Sequence, residues 1–283
     1  MSGSPSSTPL QFFEFEGRQV AYLDSGSGAP LVFLHNGGIS HRLFDHQVRH
    51  FEQTRRVIAM DWLGFGRSEK PRDADYGAPL YINQLRALLD HLELERVDLV
   101  GCCIGGSIAM LYAKAYPDRV ASVTALSVAT PLTTAGGALS PVLARRASLK
   151  YRILVAFGTS VVARALVWPI IQRKQLGDRV LTRDSEFVSH CKQNYQDPGV
   201  GFAFSAYDYY SHESLDRQTR PWNYPPLLVI WGRDNPVLSC RQGQILAQGW
   251  GAERTEVIDD CGYMVMREAP SRVNTMIKAH CRL

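Results

Sequence analysis

The stretch Val100-Gly101-Cys102-Cys103-Ile104-Gly105-Gly106 decides the fold. The apolar residues 97–100 that lead into it predict a buried strand, and residues 105–115 after it predict a helix. Glycines two positions before and after Cys103 permit a sharp turn between strand and helix, which presents one side chain above a sheet. The pattern predicts that Cys103 is presented in this way as a nucleophile. The alternative is a small buried residue with no chemical role.

Short strands and helices alternate in both the early and the late part of the chain. Strands are predicted at 12–15, 19–24, 31–34, 57–60, 97–100, 120–128, 227–231 and 255–258. The apolar spacing over about 79–93 predicts an amphipathic helix. This alternation predicts an α/β fold with a mostly parallel central sheet and helices on both faces.

The stretch 131–222 breaks the alternation and predicts an inserted helical cap, or lid. Residues 11–130 and 223–283 would then form the core, after a Ser/Pro/Gly-rich start at 1–10 that predicts disorder. From 131 to 183 there are nine basic residues and one acid, so this segment carries +8 and the remainder −4 of the total of +4. An apolar helix with basic flanks favours a small apolar or amphipathic substrate, either anionic or carrier-bound, or an anionic membrane surface. The alternative is a cap helix that packs on the core, with its arginines in solvent.

Composition excludes several other classes of function. With 283 residues, 45% hydrophobic and 20% charged, the chain predicts one globular core. The sequence has no basic run interleaved with aromatics, so it does not predict a nucleic-acid partner. It also has no stretch that predicts a transmembrane segment. Six scattered cysteines without ligand spacing predict free thiols in the cytoplasm and no metal. No organic cofactor is implied, and the oligomeric state is left open.

Five motifs in order along the chain resemble those of the α/β-hydrolase superfamily. They are His35-Asn36-Gly37-Gly38, Asp61-Trp62-Leu63-Gly64-Phe65-Gly66-Arg67-Ser68, the stretch around Cys103, Trp231-Gly232, and Gly262 with Glu268 and Pro270. The resemblance runs from about residue 12 to 280 and is closest to the lidded dehalogenases, epoxide hydrolases and C–C bond hydrolases. It implies an oxyanion hole formed by backbone N–H groups near Gly37 and of Ile104. It also implies a pocket, for which the candidate residues are His35, Asn36, Trp62, Trp168 and Tyr207. For His35 we expect a structural role that orients its loop.

This chain differs from the family that it resembles at all three positions of that family's catalytic triad. Cys103 replaces serine, Asn235 stands where the acid is expected, and Tyr263 stands where the histidine is expected. Without an imidazole, an aspartate would be a buried charge lacking its partner, so the two last changes are interpreted as coupled. Tyrosine is a poor base near neutral pH but donates a hydrogen bond. The start of the helix after Cys103 predicts a lowered thiol pKa.

Three functional hypotheses follow from this altered triad. The first is an enzyme that uses Cys103, Tyr263 and the oxyanion hole in acyl transfer, cyclisation or lyase-type chemistry. The second is a non-catalytic pseudo-hydrolase that binds a ligand. The third is a thiol esterase that recruits another histidine, for which the candidates are His35, His41, His46 and His212.

Overall fold

A central sheet of eight strands organises the chain. The computed structural model describes residues 8–134, 161–217 and 220–281, with the side chains of 161–169, 171 and 172 excepted. The strands are β1 (Gln11–Phe15), β2 (Arg18–Ser25), β3 (Pro30–Leu34), β4 (Arg56–Met60), β5 (Val97–Cys102), β6 (Val120–Leu126), β7 (Leu227–Gly232) and β8 (Arg254–Ile258). Their order across the sheet is β1-β2-β4-β3-β5-β6-β7-β8. The predicted α/β fold with a mostly parallel sheet is confirmed.

The direction of the strands follows from the connections between them. β1 and β2 form an antiparallel hairpin whose turn residues, Glu16 and Gly17, both have positive φ, as a two-residue hairpin turn requires. β2 also pairs antiparallel with β4. All the remaining pairs are parallel, from β4 to β8 across the sheet. The carboxyl ends of these parallel strands therefore meet at one edge, where the motifs of the sequence converge.

Helices flank the strands of the core and also occur in the described parts of the stretch predicted as the cap. In the core they are α1 (Asp45–Phe51), α2 (Ala78–His91), α3 (Ile104–Ala115), α9 (Cys240–Gly249), α10 (Val265–Glu268) and α11 (Pro270–His280). Between β6 and β7 the structure describes α4 (Pro131–Thr134), α5 (Val161–Arg183), α6 (Ser185–Gln196), α7 (Pro198–Ala206) and α8 (Glu213–Asp216). Short 3₁₀ turns lie at His41–Phe44, Pro117–Arg119 and Tyr209–His212.

The start of the chain and the end of β6 differ from the sequence prediction. Residues 1–7 of the predicted disordered start lie outside the described residues, but Leu10 packs against the core. β6 ends at Leu126 and not at 128, because Ser127 has a φ of 44° that turns the chain out of the strand. The Ser127 N–H then donates to the carbonyl of Ile230 at 3.0 Å, so the turn is held against β7.

The central strand β5 is buried along its whole length, although it contains an aspartate. Asp98 accepts a hydrogen bond at 2.6 Å from the buried guanidinium of Arg55 and one at 2.5 Å from the Ser122 hydroxyl. Arg55 also donates to the Ala29 carbonyl at 2.6 Å. A buried charge is tolerated when such partners replace its hydration, so the polar position does not interrupt the strand.

Ion pairs hold the helices between β6 and β7 against the core. The Arg42 guanidinium contacts Glu186 at 2.6 Å, and Arg267 contacts Asp184 at 2.7 Å. The Ser40 hydroxyl lies 2.7 Å from Nε2 of His190 on α6. These three contacts join α6 to the loop that follows β3 and to α10. The helical segment is therefore packed over the carboxyl edge of the sheet.

Substitution of Gly105 tests the closeness of this packing. A Cβ at Gly105 would collide with the carbonyl groups of Leu34 and His35, which belong to the backbone and cannot rotate away. We expect Gly105→Ala to lower the free energy of unfolding by about 3 kcal/mol or more, measured by urea denaturation. Gly77→Ala is the control, because its Cβ meets only ordinary contacts at 3.4 Å and beyond. Equal stability of the two variants would contradict the assigned packing.

Candidate active site

Cys103 occupies a strained turn between β5 and α3. Its φ of 54° and ψ of −114° lie outside the regions favoured by side-chain-bearing residues. The strain is held in place by a hydrogen bond of 2.9 Å from the Cys103 N–H to the Leu126 carbonyl. A Cβ at Gly101 would clash with the backbone of Gly105, so both glycines are needed for the close approach of strand and helix. The turn has the backbone form that the sequence predicts.

The side chains of Cys103, Tyr263 and Asn36 meet at this turn. The Asn36 amide donates to the Tyr263 hydroxyl over 3.2 Å, and this hydroxyl lowers the pKa of the Cys103 thiol because it stabilises the thiolate. Cys103 is 4% exposed, Tyr263 1% and Asn36 0%. Asn36 and Tyr263 are 227 positions apart in the chain, so the fold brings them together. The Tyr263 hydroxyl also lowers the pKa of the neighbouring Cys102 thiol, although burial raises that pKa more strongly.

The pKa of the Cys103 thiol is raised, which contradicts the lowered pKa predicted from the sequence. Burial is the largest cause and raises the pKa to about 11, while the hydrogen bonds from Tyr263 and from the Ile104 N–H oppose it. The helix start therefore supplies its N–H group as predicted, but desolvation of the thiolate outweighs it. At pH 7 roughly one molecule in ten thousand carries the thiolate. The thiol is therefore protonated near neutral pH.

Asn235 lies on the loop after β7 and does not touch the Tyr263 ring. Its Oδ1 accepts hydrogen bonds of 3.0 Å from the N–H groups of Val237 and Leu238. Its Nδ2 donates to the Ser127 hydroxyl at 3.2 Å, and that hydroxyl donates to the Tyr263 carbonyl at 3.4 Å. Asn235 therefore supports the backbone of Tyr263 through Ser127. The sequence reasoning missed Ser127 as the link, because a lone serine after a strand carries no motif.

His35 and Trp62 hold the loop that follows β3. The Trp62 N–H donates to Nε2 of His35 at 3.0 Å, and the indole donates to the His35 carbonyl at 2.9 Å. Nδ1 of His35 lies 2.5 Å from the Asn36 carbonyl, so both ring nitrogens are occupied by backbone groups. Burial lowers the pKa of His35 to about 4. These contacts fit a structural, neutral histidine.

The two predicted oxyanion-hole residues lie against each other. A Cβ at Gly37 would be 2.9 Å from Cδ1 of Ile104 and 3.3 Å from the Phe204 ring. At Gly38, where φ is 88°, a Cβ would be 2.6 Å from the Tyr195 hydroxyl. The loop after β3 is thus in contact both with the start of α3 and with α6 and α7. Only glycine fits this narrow space.

Three buried tyrosines from the segment between β6 and β7 are close enough to the thiol to interact with it electrostatically. Negative charge at Cys103 raises the pKa of Tyr195, Tyr207 and Tyr209, after the larger effect of burial. Tyr207 stacks on Tyr81 with ring centroids 5.5 Å apart. The side chain of Trp168, the other pocket candidate from this segment, lies outside the described residues.

The histidines that the sequence proposed as substitute bases lie in different surroundings. Burial opposes charge on His41, but Asp61, whose Oδ1 is 2.8 Å from the imidazole, raises the pKa of His41 above its ordinary value. Burial lowers the pKa of His46, which is near Arg267. Nε2 of His212 lies 2.5 Å from the Tyr207 hydroxyl. The sequence reasoning did not pair these two residues, because two polar residues five positions apart carry no recognisable signal.

A cavity of about 380 Å³ opens on the other side of the loop that carries Tyr263. α5 contributes Lys174, Gly177, Asp178 and Arg179, and the core contributes Asp234, Pro236, Asp260, Cys261, Gly262, Tyr263 and Glu268. The Glu268 carboxylate accepts the N–H groups of Gly262 at 2.9 Å and Met264 at 3.2 Å, which fixes this loop. The exposed charges of α5 therefore lie at the same cavity as Tyr263.

The described part of the chain was compared with the geometry of metal clusters and of membrane-spanning helices. No group of three His, Cys, Asp or Glu side chains there is arranged to hold a metal ion. None of its helices has the length and apolar character to cross a membrane. All six cysteines are free thiols.

Comparison with known proteins identifies the family. The sequence profile of the alpha/beta hydrolase fold matches residues 29–270, and the chain belongs to this family. It is 28% identical over 278 residues to an uncharacterized protein of Mycobacterium tuberculosis, covering 93% of this chain and 78% of that protein. It is 28% identical over 263 residues to a 2-hydroxymuconate semialdehyde hydrolase of Pseudomonas sp. strain CF600, covering 90% and 87%. The C–C bond hydrolases are therefore among its homologues.

A solved structure agrees with this assignment. Est816, described as an N-acyl homoserine lactone degrading enzyme, superposes with a TM-score of 0.76 at 26% identity. The alignment covers 95% of this chain and 99% of that one. The homologues include hydrolases that cleave different bonds. Membership of the family therefore shows the fold and a hydrolase ancestry, but it does not identify the substrate.

The thiol pKa is open to direct measurement. Because the pKa of Cys103 is about 11, we expect its alkylation by iodoacetamide, followed by peptide mass mapping, to rise about tenfold per pH unit from 7 to 10. Tyr263→Phe removes a hydrogen bond that lowers this pKa, so alkylation should slow by roughly tenfold. Tyr224→Phe, which deletes a hydroxyl bound to the Met110 carbonyl, is the control and should leave the rate unchanged. Alkylation of Cys103 at pH 7 as fast as that of free cysteine would contradict the assignment.

Proposed function

We propose that the protein is an acyl-transferring enzyme that uses Cys103 as its nucleophile. The strained turn that holds Cys103 at the start of α3, with the Tyr263 hydroxyl lowering the pKa of its thiol, is the observation that carries the proposal. A pseudo-hydrolase would have no need for a strained cysteine with a donor aimed at its sulfur, since strain at such a site must be maintained by its surroundings. Transfer to an acceptor, or cyclisation, is favoured over hydrolysis.

The first half-reaction joins the thiol sulfur to a carbonyl carbon. The C–S bond forms as the thiol loses its proton, and the carbonyl oxygen becomes an oxyanion that can accept hydrogen bonds from the Ile104 N–H and the loop at Gly37. Such donors contribute about 10²–10³ in rate. The oxyanion then collapses, the bond to the leaving group breaks, and the leaving group takes up a proton. An acyl-cysteine remains.

The second half-reaction is the slower one. In a related hydrolase an imidazole would activate water, but here Tyr263 is in that position, and burial raises its pKa well above 10. Water is therefore not deprotonated by Tyr263 near neutral pH. An amine, alcohol or thiol acceptor is a better nucleophile than water and releases the enzyme by attack on the thioester.

The proposed substrate is a small apolar or amphipathic ester or thioester. The named relatives act on carbonyl compounds, a semialdehyde in one case and an N-acyl lactone in another. Exposed cations on α5, which include Lys174 and Arg179, border the cavity next to Tyr263. The same cavity is also lined by four carboxylates, so the proposal of an anionic or carrier-linked substrate rests on the net charge of +8 over residues 131–183 and not on this cavity. The six free thiols favour a reducing cytoplasm as the location.

Intact-protein mass spectrometry after incubation with short- and medium-chain acyl thioesters tests the proposal. We expect a stable acyl adduct in the wild type and none in Cys103→Ala. Cys240→Ala is the matched control, because Cys240 is the half-buried thiol at the start of α9 and reports non-specific acylation. Absence of any adduct, combined with a melting temperature that ligands still raise, would overturn acyl transfer in favour of the pseudo-hydrolase.

Replacement of Tyr263 by histidine tests why deacylation is slow. Tyr263→His places an imidazole, with an ordinary pKa of about 6.5, beside the acylated sulfur, and it can deprotonate water. We expect the lifetime of the adduct to fall by about tenfold, measured by mass spectrometry over time, and to fall further in Tyr263→His with Asn235→Asp. Tyr263→Phe should leave the adduct long-lived. An unchanged lifetime in the double variant would contradict the role given to these positions.

A further inference from the structure

The side chain of Asn36 has a buried hydrogen-bond acceptor that no other residue uses. Asn36 is 0% exposed, and its Nδ2 donates to the Tyr263 hydroxyl over 3.2 Å. Its Oδ1 has no hydrogen-bond partner among the residues that the structure describes. A buried oxygen without a donor costs free energy, so its presence in a folded protein needs an explanation.

The loop that carries Asn36 is packed against the start of α3, which begins directly after the reactive cysteine. A Cβ at Gly105 would be 2.7 Å from the His35 carbonyl, and a Cβ at Gly37 would be 2.9 Å from Cδ1 of Ile104. The residues on both sides of Asn36 are therefore in close contact with the first two residues of α3. This packing places Asn36 next to the turn that presents the nucleophile.

The contact with Tyr263 fixes the direction of the Asn36 amide. The Tyr263 hydroxyl stabilises the Cys103 thiolate, which requires that its hydrogen is directed away from Asn36. The phenol oxygen then accepts, so the Asn36 atom that faces it is the Nδ2 donor. Oδ1, which is bonded to the same carbon as Nδ2, is left to accept a hydrogen bond from another molecule.

The position of this oxygen distinguishes it from other buried atoms without partners. The Thr124 hydroxyl and the Trp231 indole N–H also lack a partner within the described residues, but they belong to β6 and β7. Asn36 follows β3, at the carboxyl edge of the sheet, where the turn of Cys103 also lies. Ligands of open α/β sheets bind outside this edge, so the Asn36 oxygen is placed to contact a substrate.

The cavity next to Tyr263 has charges that favour a cation. Tyr263, the partner of Asn36, forms part of its wall. The charged residues that line it are four acids and two bases, Asp178, Asp234, Asp260, Glu268, Lys174 and Arg179. An excess of carboxylates attracts positive charge, and an aliphatic amine is positively charged near neutral pH.

We propose that Asn36 binds the acceptor of the acyl group and that this acceptor is a primary amine; the inference rests on the proposed acyl transfer. One N–H of the neutral amine donates to Oδ1 of Asn36, which directs the nitrogen lone pair at the carbonyl carbon of the acyl-cysteine. The C–N bond forms, the C–S bond breaks, and the second hydrogen of the nitrogen passes as a proton to the departing sulfur. The products are an amide and the free Cys103 thiol.

The number of hydrogens on the nucleophile selects a primary amine. It has two, so one stays bound to Asn36 while the other moves to sulfur. An alcohol has only one, and a thiol is a weak donor. Water has two, but it is a poorer nucleophile that needs a base, and the oxygen of an amide is only a hydrogen-bond acceptor.

Release of a preformed acyl-Cys103 adduct by propylamine and by propanethiol, which are matched in size, tests the role of Asn36. Intact-protein mass spectrometry follows the loss of the adduct at one fixed pH. In Asn36→Leu we expect the ratio of the amine rate to the thiol rate to fall about tenfold, because the hydrogen bond to the amine is lost. Loss of the contact with Tyr263 would slow both acceptors equally, so this ratio reports on Oδ1.

Asn274→Leu is the matched control, because it removes another buried amide, on α11, and it should keep the wild-type ratio. Should Asn36→Leu fail to fold, the wild type decides the question. Its preference for propylamine over propanethiol should exceed that of a small thioester in solution by about tenfold.

The outcomes distinguish the role of Asn36 from the function on which it rests. An equal ratio in the wild type and Asn36→Leu, or a wild-type preference no greater than in solution, would overturn the amine site and leave acyl transfer standing. No adduct in the wild type with any thioester would overturn acyl transfer, and the amine site with it.

Discussion

The close approach of the backbone at Gly101 and Gly105 is the constraint on which the site depends. It presses the start of α3 against the ends of β3 and β5, where no Cβ fits, and forces Cys103 into its strained conformation. The same approach places the Ile104 N–H beside the sulfur and buries both. The turn therefore produces two opposing effects on one thiol, a donor that stabilises the thiolate and desolvation that disfavours it.

Desolvation is the stronger effect, and it explains the kind of chemistry that suits the site. A thiol with a pKa of about 11 is protonated near neutral pH, whereas a cysteine beside an imidazolium would be a thiolate. It stays protonated near neutral pH, which slows adventitious alkylation and oxidation. Proximity to Tyr195, Tyr209 and Tyr263 has the same effect, because phenols at neutral pH donate hydrogen bonds without adding charge.

The fold was predictable from the sequence because its signals are local. Apolar runs gave the strands, and the glycines around Cys103 gave the turn, each within a few residues. The contacts of the site join residues far apart in the chain, and the sequence alone does not show which of these residues meet. The Asn36–Tyr263 hydrogen bond joins distant loops, and Ser127 is recognisable as a link only when β6 and β7 are seen side by side. The predicted direction of the shift in the thiol pKa was wrong, because the burial of Cys103 depends on the whole packed core and not on the residues next to it in sequence.

The changes at the acid and histidine positions are consistent with one another in the structure. Asn235 uses its oxygen for two backbone N–H groups and its amide for Ser127. An aspartate could make the first two contacts but would face the Ser127 hydroxyl as a half-buried anion with no imidazolium to neutralise it. Asparagine keeps the loop geometry without that charge, and Ser127 transmits the support to the Tyr263 carbonyl. Hydrogen bonds thus connect Asn235 through Ser127 to the backbone of Tyr263, in agreement with the proposal that these positions act together beside Cys103.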